Sequence, residues 1–326
     1  FDGVASTTAV SIGSQVMHMI TVMIVGLAMG TTVTIGRAVG AKDHAKAARL
    51  IGNTVTLFLA GSVVLAAVLV GLAEPIVHLV SVPEQAAAGT KYYLVICFIG
   101  IPCITAYNIM ASIFRGLGDS KSPLYFIAAA CASNIALDYL CIGAMHLGPA
   151  GAALGTTLSQ LVSVVLSLCV ILKRRSGVRL SAADFKPHKT ILGEILAIGV
   201  PVMLQDGFIQ VSFMIITIIA NQRGLTDAAA VGIVEKIISF LFLVPSSMLS
   251  TVSALGAQNI GANKPERVDA ILRYAIGIGV AFGTVMAVLM QIAAPAVVRP
   301  FTSDEAVVLA GASYIKGDIF DCLFAG

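Results

Sequence analysis

The sequence predicts an all-α, polytopic membrane protein made of two related halves, and three observations support this prediction. Of the 326 residues, 58% are hydrophobic and only 11% are charged, whereas a soluble domain carries roughly 25% charged residues. The mean hydropathy is +0.96. The loop GRAVGAKD at residues 36–43 returns in related form as AQNIGANK at residues 257–264, and each copy separates two long apolar segments. An internal repeat of this kind in a membrane protein is typical of transporters.

Apolar stretches of about 20 residues are long enough to cross a bilayer as helices. The nine that we identify lie at residues 8–34, 50–73, 92–114, 122–145, 150–172, 190–220, 227–255, 270–298 and 306–326. We therefore expect nine membrane-spanning helices in this chain.

The lysines and arginines concentrate in the loops that follow the odd-numbered spans. The largest group lies between spans five and six and consists of Lys173, Arg174, Arg175, Arg179, Lys186 and Lys189. Because positively charged loops stay in the cytoplasm, these loops are predicted to be cytoplasmic and Phe1 to lie on the outer side. The sequence thus predicts an amino-terminal lobe at residues 1–175, a cytoplasmic linker at 176–189 and a carboxy-terminal lobe at 190–326.

The repeat also gives the size of each half. Spans one to three match spans seven to nine, so the repeating unit has six spans. Because six is an even number, both halves share one orientation, and we expect a pseudo-two-fold axis along the membrane normal. A complete pair of such halves has twelve spans, so we interpret the chain as truncated to about nine helices.

Three motifs resemble the multidrug and toxic compound extrusion (MATE) family of secondary transporters. They are GRAVGAKD at residues 36–43, FRGLGDSKSP at 114–123 and GAQNIGANKPER at 256–267. The resemblance covers the whole chain and implies helices two to ten of a twelve-helix protein, with two six-helix lobes facing each other across a central cavity. It further implies a monomer in the plasma membrane of a prokaryote, which exports amphipathic, often cationic drugs against Na⁺ or H⁺. No cofactor and no nucleic-acid partner are implied.

Asp138 is the clearest functional candidate, because a charge at the bilayer centre costs roughly 2.5–3.5 kcal/mol on insertion scales. Asn134 lies four residues earlier and therefore on the same helix face. Carboxylate and amide oxygens can bind sodium, and a desolvated carboxyl can hold a proton. The resemblance implies that Asp138, Asn134, Asn108 and Thr156 form a cation or proton site in the amino-terminal lobe, although Ala111 stands where the family has a second asparagine. The other interpretation of Asp138 is a structural acid, hydrogen-bonded between helices.

Three further polar residues are candidates for substrate binding. Asp206 and Gln205 follow a proline in span six, where a helix bends and frees a carbonyl group. Asp206 either attracts cationic substrate or lies near a membrane interface. Glu235 interrupts span seven beside Lys236, and it either joins two helices or contacts substrate. Asp318 and Asp321 in the last span can belong to a carboxy-lobe ion site.

Two alternatives stay open at this point. A lipid-linked precursor flippase of the same superfamily needs cationic residues in its cavity, whereas the intramembrane charges here are chiefly acidic. A nonfunctional fragment is the other alternative, because a chain without three of twelve helices need not fold alone. An enzyme is not predicted, since no nucleophile or metal motif is visible and no metal is implied beyond sodium at Asp138.

Overall fold

The computed structural model describes residues 4–80, 82–173 and 180–320. Within these ranges every regular element is helical and no β-strand is present, so the predicted all-α class is confirmed. The α-helices are α1 Val4–Gly40, α2 His44–Gly71, α3 Ala73–Leu79, α4 Glu84–Ile99, α5 Ile101–Gly116, α6 Lys121–Asp138, α7 Gly148–Lys173, α8 Lys189–Arg223, α9 Leu225–Leu241, α10 Leu243–Gly261, α11 Pro265–Val298 and α12 Glu305–Asp318.

The described helices match the first eight predicted spans. Seven are long and apolar enough to cross a membrane, and α4 with α5 make an eighth span that is bent by 50°. Pro102 lies at the start of α5, directly after this bend. A proline has no backbone N–H to donate, so it favours a helix start over a helix interior at this position. The ninth predicted span begins as α12, and its end at 321–326, which includes Asp321, lies outside the described residues. The same holds for Arg174, Arg175 and Arg179 of the basic loop.

Both copies of the repeated glycine loop end a helix with the same geometry. Lys42 has φ 58° and Asn263 has φ 54°. The amide of Lys42 donates to Val39 O, and the amide of Asn263 donates to Ile260 O, each at 3.0 Å. A residue in the left-handed region with this bond pattern is a Schellman-type helix end, which satisfies the last carbonyl groups of a helix. The repeat found in the sequence is therefore a repeat of local backbone structure as well.

The chain packs into two compact units that divide inside α8, between Gly207 and Phe208. The first unit has two apolar cores. One joins α1, α4, α5 and α7 around the fully buried Phe98 and Ile101. The other joins α1, α2 and α5 with Ile191 and Ile195 of α8. We call the end of this unit that contains residues 38–47, 113–117 and 180–191 its basic end, and we predict that it faces the cytoplasm.

In the second unit, α9 packs against α12, and α11 packs against both α10 and α12. Its core centres on buried side chains such as Val234, Val298 and Ile315. The division within α8 shows that the first half of this helix packs with the amino-terminal residues. The lobe boundary at 176–189 comes from the charge pattern and the repeat of the sequence rather than from packing, and it stays a prediction.

Candidate functional site

Asp138 is the last residue of α6 and directly precedes a π-helical turn, Tyr139–Ala144. Its carboxylate lies against Gly155 of α7, so closely that a Cβ at position 155 would overlap Asp138 Oδ1. This oxygen is buried, and no described residue gives it a hydrogen bond. A buried polar atom without a partner is costly, and π-helical turns occur frequently at functional sites. Asp138 Oδ1 is therefore a buried carboxylate oxygen that is able to accept a cation or a proton, and its predicted role stays a prediction.

The other predicted members of the site lie on α6 and α7, which carry Asp138 and Gly155, and on the neighbouring α5. Asn134 is one turn before Asp138 on α6, Asn108 lies on α5 and Thr156 lies on α7, and these three helices pack against one another. Asn108 Nδ2 donates to Ile104 O at 2.8 Å, and Thr156 Oγ1 donates to Ala152 O at 3.0 Å. Each bond uses one N–H or O–H donor of the side chain, and the side-chain oxygens remain able to accept from or coordinate a ligand.

Within the described part of the chain, no hydrogen bond joins any two of Asp138, Asn134, Asn108 and Thr156. The structure thus brings the four residues onto neighbouring helices, and Asp138 contacts the residue that precedes Thr156. Whether they bind one ion together stays a prediction.

Three other oxygens of this helix group were missed from the sequence. Thr105 Oγ1 on α5 and Thr157 Oγ1 and Gln160 Oε1 on α7 are buried, and none has a hydrogen-bond partner among the described residues. The side chain of Thr157 lies against Gly100, at the bend between α4 and α5. Gln160 was detectable, because it is an amide in the middle of an apolar span, one turn after Thr156. Together with Asp138, these oxygens make the α5–α6–α7 group rich in acceptors.

The set of oxygen ligands in the α5–α6–α7 group fits a hard monovalent cation or a proton better than a transition metal. It consists of carboxylate, amide and hydroxyl oxygens, which suit hard cations. No group of three His, Cys, Asp or Glu side chains that could hold a metal ion occurs in residues 4–80, 82–173 and 180–320. The unpartnered Asp138 Oδ1 is the observation that fits a sodium ion or a proton.

Asp206 and Gln205 are adjacent on α8 but face different surroundings. Asp206 is half-buried and faces α1. Its Oδ2 lies so near Gly26 of α1 that a Cβ added to this glycine would be 2.5 Å away. Gln205 is exposed. Adjacent helical residues point about 100° apart, so the two side chains do not form one patch. Their roles in substrate binding stay predictions.

Glu235 joins two helices of the second unit. Its Oε1 accepts a hydrogen bond of 3.0 Å from Thr217 Oγ1 of α8, whereas Lys236 is exposed. Glu235 also interacts electrostatically with Asp318, and both interact with Tyr314 of α12. The hydroxyl of Tyr314 is buried without a hydrogen-bond partner in the described residues. The structure therefore groups two acids predicted separately, while Asp321 lies outside the described residues.

Seven helices long and apolar enough to cross a membrane, with Asp138, Asp206 and Glu235 inside these apolar segments, indicate a multi-pass membrane protein of the transporter class. The MatE family model matches residues 1–140 and 201–325. The chain belongs to the MatE family, whose members are transporters and not enzymes.

The relatives include proteins named for multidrug resistance. The chain is 29% identical to "Probable multidrug resistance protein YpnP" of Bacillus subtilis, over 99% of this chain and 72% of that protein. It is 26% identical to "Probable multidrug resistance protein YoeA" of the same organism, over 93% of this chain and 67% of that protein. It is also 26% identical to "Multidrug export protein MepA" of Staphylococcus aureus, over 91% of this chain and 66% of that protein. The chain thus spans about two thirds of the length of these relatives.

Solved structures show the same fold. A MOP superfamily transporter from Pyrococcus furiosus, described as having a binding pocket of reversed polarity, superposes with a TM-score of 0.88 at 23% identity, over 99% of this chain and 75% of that chain. An outward-facing multidrug resistance MATE family transporter gives a TM-score of 0.87 at 23% identity, over 98% of this chain and 72% of that chain. The predicted fold class and family are confirmed.

Proposed function

We propose that this chain forms the transport core of a secondary active multidrug exporter, which exchanges amphipathic or cationic drugs for Na⁺ or H⁺ by alternating access. Relatives named for multidrug export support the substrate class. The single observation that carries the coupling is the buried, unpartnered Oδ1 of Asp138 among apolar spans. We further propose that the protein works as a monomer in the plasma membrane of a prokaryote, with the two lobes at residues 1–175 and 190–326.

In this mechanism Asp138 links ion binding to conformation. A charged carboxylate in an apolar environment costs roughly 2.5–3.5 kcal/mol, and a bound cation or proton removes most of that cost. Since 1.4 kcal/mol is a factor of ten, neutralisation can shift a two-state equilibrium by on the order of a hundredfold. Asn134, Asn108 and Thr156 contribute neutral oxygens beside the carboxylate. Release of the ion restores the charge and returns the protein to the other state.

Two acids outside this group have supporting roles in the proposal. Asp206 on α8 is half-buried and carries a negative charge that attracts cationic drugs, with Gln205 one position earlier. Glu235, held by Thr217 and coupled to Asp318, is a candidate for a second ion or for substrate. With a second acid, substrate and ion can each bind to a different carboxylate.

Drug-resistance measurements on Asp138→Asn in the full-length natural protein test the proposal. Asparagine keeps the shape of the side chain and removes its charge, so we expect loss of resistance and of ion-driven dye efflux at unchanged membrane expression. Asp269→Asn is the matched control, because Asp269 is exposed on α11. Retained resistance in Asp138→Asn would remove Asp138 from the mechanism.

The coupling ion and the substrate class need separate measurements. In proteoliposomes, a sodium gradient at constant pH and a pH gradient at constant sodium each isolate one ion. Dye efflux driven by one gradient alone identifies that ion. Efflux under neither gradient, together with transfer of a lipid pyrophosphate between leaflets, would support the flippase alternative instead.

A further inference from the structure

The segment between α7 and α8, described from Leu180 onward, is docked on α2 by the side chain of Asn53. This asparagine is fully buried. Its Nδ2 donates to Asp184 O at 3.0 Å as well as to Arg49 O of its own helix, and its Oδ1 accepts from His188 N at 2.7 Å. One amide therefore binds the backbone of the segment at two points, four residues apart.

Two neighbours of Asn53 on α2 complete the docking. Thr56 Oγ1 donates to Phe185 O at 2.8 Å. A Cβ on Gly52 would overlap Asp184 O, so the backbone approaches α2 more closely than any other residue at position 52 would allow. All three contacts are made to backbone atoms of the segment.

The segment is shaped for this contact by its own hydrogen bonds. Residues Ala182–Phe185 form a 3-10 turn. The backbone N–H and the hydroxyl of Ser181 each donate to Asp184 Oδ2 at 2.8 Å. The backbone N–H of Asp184 in turn donates to the hydroxyl oxygen of Ser181, which completes a capping box. The turn presents the carbonyl groups of Asp184 and Phe185 to α2.

The docking continues into the first half of α8. Lys46 Nζ lies 2.9 Å from Glu194 Oε2, which links α2 to α8. Further along, a Cβ on Gly30 of α1 would overlap Ile195 O, and a Cβ on Gly199 would overlap Leu27 O. Small residues allow such close helix contact in membranes. The start of α8 therefore belongs to the packing of α1 and α2, in agreement with the division at Gly207.

This packing conflicts with the repeat, which assigns all of α8 to the second lobe. If the lobes move relative to each other, the start of α8 must separate from α1 and α2 at the basic end. The bonds of Asn53 and Thr56 suit such a step, since each joins groups that water can satisfy when they part, and each can form again.

We propose that Asn53 and Thr56, with the backbone of residues 184–188, form a latch that holds the basic end of the first unit closed and opens once in each transport cycle. The latch rests on the proposed alternating access, but not on the identity of the drug or of the coupling ion. Its role is to set the population of the closed state, because hydrogen bonds made in only one state favour that state.

Thiol labelling tests the latch in the full-length natural protein, in a background without its native cysteines. Ile195 is fully buried where α8 meets α1, so Ile195→Cys reports opening at that place. Inside-out vesicles are treated with a membrane-impermeant maleimide, which reaches the side predicted to be cytoplasmic. A net hydrogen bond of about 1 kcal/mol corresponds to a factor of about five, and Asn53 makes two bonds to the segment, so Asn53→Ala should accelerate labelling by about tenfold or more.

One further variant controls for nonspecific loosening of the protein, and a second tests the other side chain of the latch. Asn259→Ala removes an asparagine of α10 whose Nδ2 donates to Leu255 O of its own helix, so labelling at position 195 should not change. Thr56→Val keeps the side-chain volume and removes one latch bond, and it should accelerate labelling by a few-fold. Equal labelling of Asn53→Ala and Asn259→Ala, or slower labelling of Asn53→Ala, would show a fixed anchor and overturn the latch. Labelling needs no drug and no ion gradient, so this result is independent of the Asp138→Asn experiment.

Discussion

Replacing Gly155 by alanine tests directly whether the carboxylate of Asp138 is held against α7. The added Cβ would overlap Asp138 Oδ1, and it would also lie 3.1 Å from Asp138 Cγ and 3.4 Å from Asp138 N. Rotation of the carboxylate alone does not clear all three atoms. The side chain of Asp138 or the backbone of α6 must therefore move away from α7.

The cost of this movement follows from the closeness of the contact. Overpacking a well-packed site typically costs about 1–3 kcal/mol, and 1.4 kcal/mol is a factor of ten in an equilibrium constant. If the displaced carboxylate is the ion ligand, ion affinity should fall by about tenfold or more. The higher helix propensity of alanine acts in the other direction by about 1 kcal/mol, so the control must carry the same substitution.

Gly61→Ala is that control, because Gly61 is an exposed helical glycine on α2 with no atom near its missing Cβ. The assay is ion-driven efflux of a cationic dye, from which the ion concentration for half-maximal rate is read. Gly155→Ala should raise this concentration about tenfold, and Gly61→Ala should leave it unchanged. The same midpoint in both variants would show that Asp138 does not bind the ion from the position against Gly155.

Two further predictions concern hydrogen bonds. Thr217→Val removes the hydroxyl that donates to Glu235 and should lower the free energy of unfolding by about 1 kcal/mol. Thr217→Ser keeps the hydroxyl and should keep this stability. Denaturant unfolding in detergent measures both variants, and equal stability of the two contradicts the prediction. The hydrogen bond from the backbone N–H of Ser181, followed by that from its hydroxyl, holds the pKa of Asp184 below its ordinary value of 3.8. The carboxylate therefore stabilises the turn at neutral pH, and this contribution is lost as the pH falls below 3.8 and through the lower pKa of the folded turn. The protection factors of the turn amides, which correct for the pH dependence of intrinsic exchange, should fall in that range, and by less in Ser181→Ala; an equal fall in both proteins would argue against this role of Ser181.

Much of the fold could be predicted because its signals are local. The length of an apolar run, the position of Pro102 and the spacing of Asn134 and Asp138 depend only on neighbouring residues. The glycine loops were recognisable as a repeat, and their matching backbone geometry at Lys42 and Asn263 follows from the same local pattern. The family and the membrane-spanning character followed from these features.

The candidate site was only partly predictable. Asp138 stood out because an acid in an apolar span is costly wherever the helix packs. The part played by Gly155 could not be predicted, because nothing in the local sequence shows that its missing Cβ makes room for a carboxylate. The sequence grouped Gln205 with Asp206 as neighbours in span six, whereas the structure turns the side chain of Asp206 towards Gly26 and leaves Gln205 exposed.

The sequence by itself determined that this chain crosses a membrane, how its halves repeat and which acid lies within an apolar span. The physical reason is that the bilayer acts as a solvent on each segment separately, so length and charge suffice. The tertiary structure alone decided which groups face each other. The contacts of Asp138 with Gly155, of Glu235 with Thr217 and of Asn53 with the linker backbone join different helices or distant segments, and such contacts depend on how complete helices fit together rather than on any local pattern.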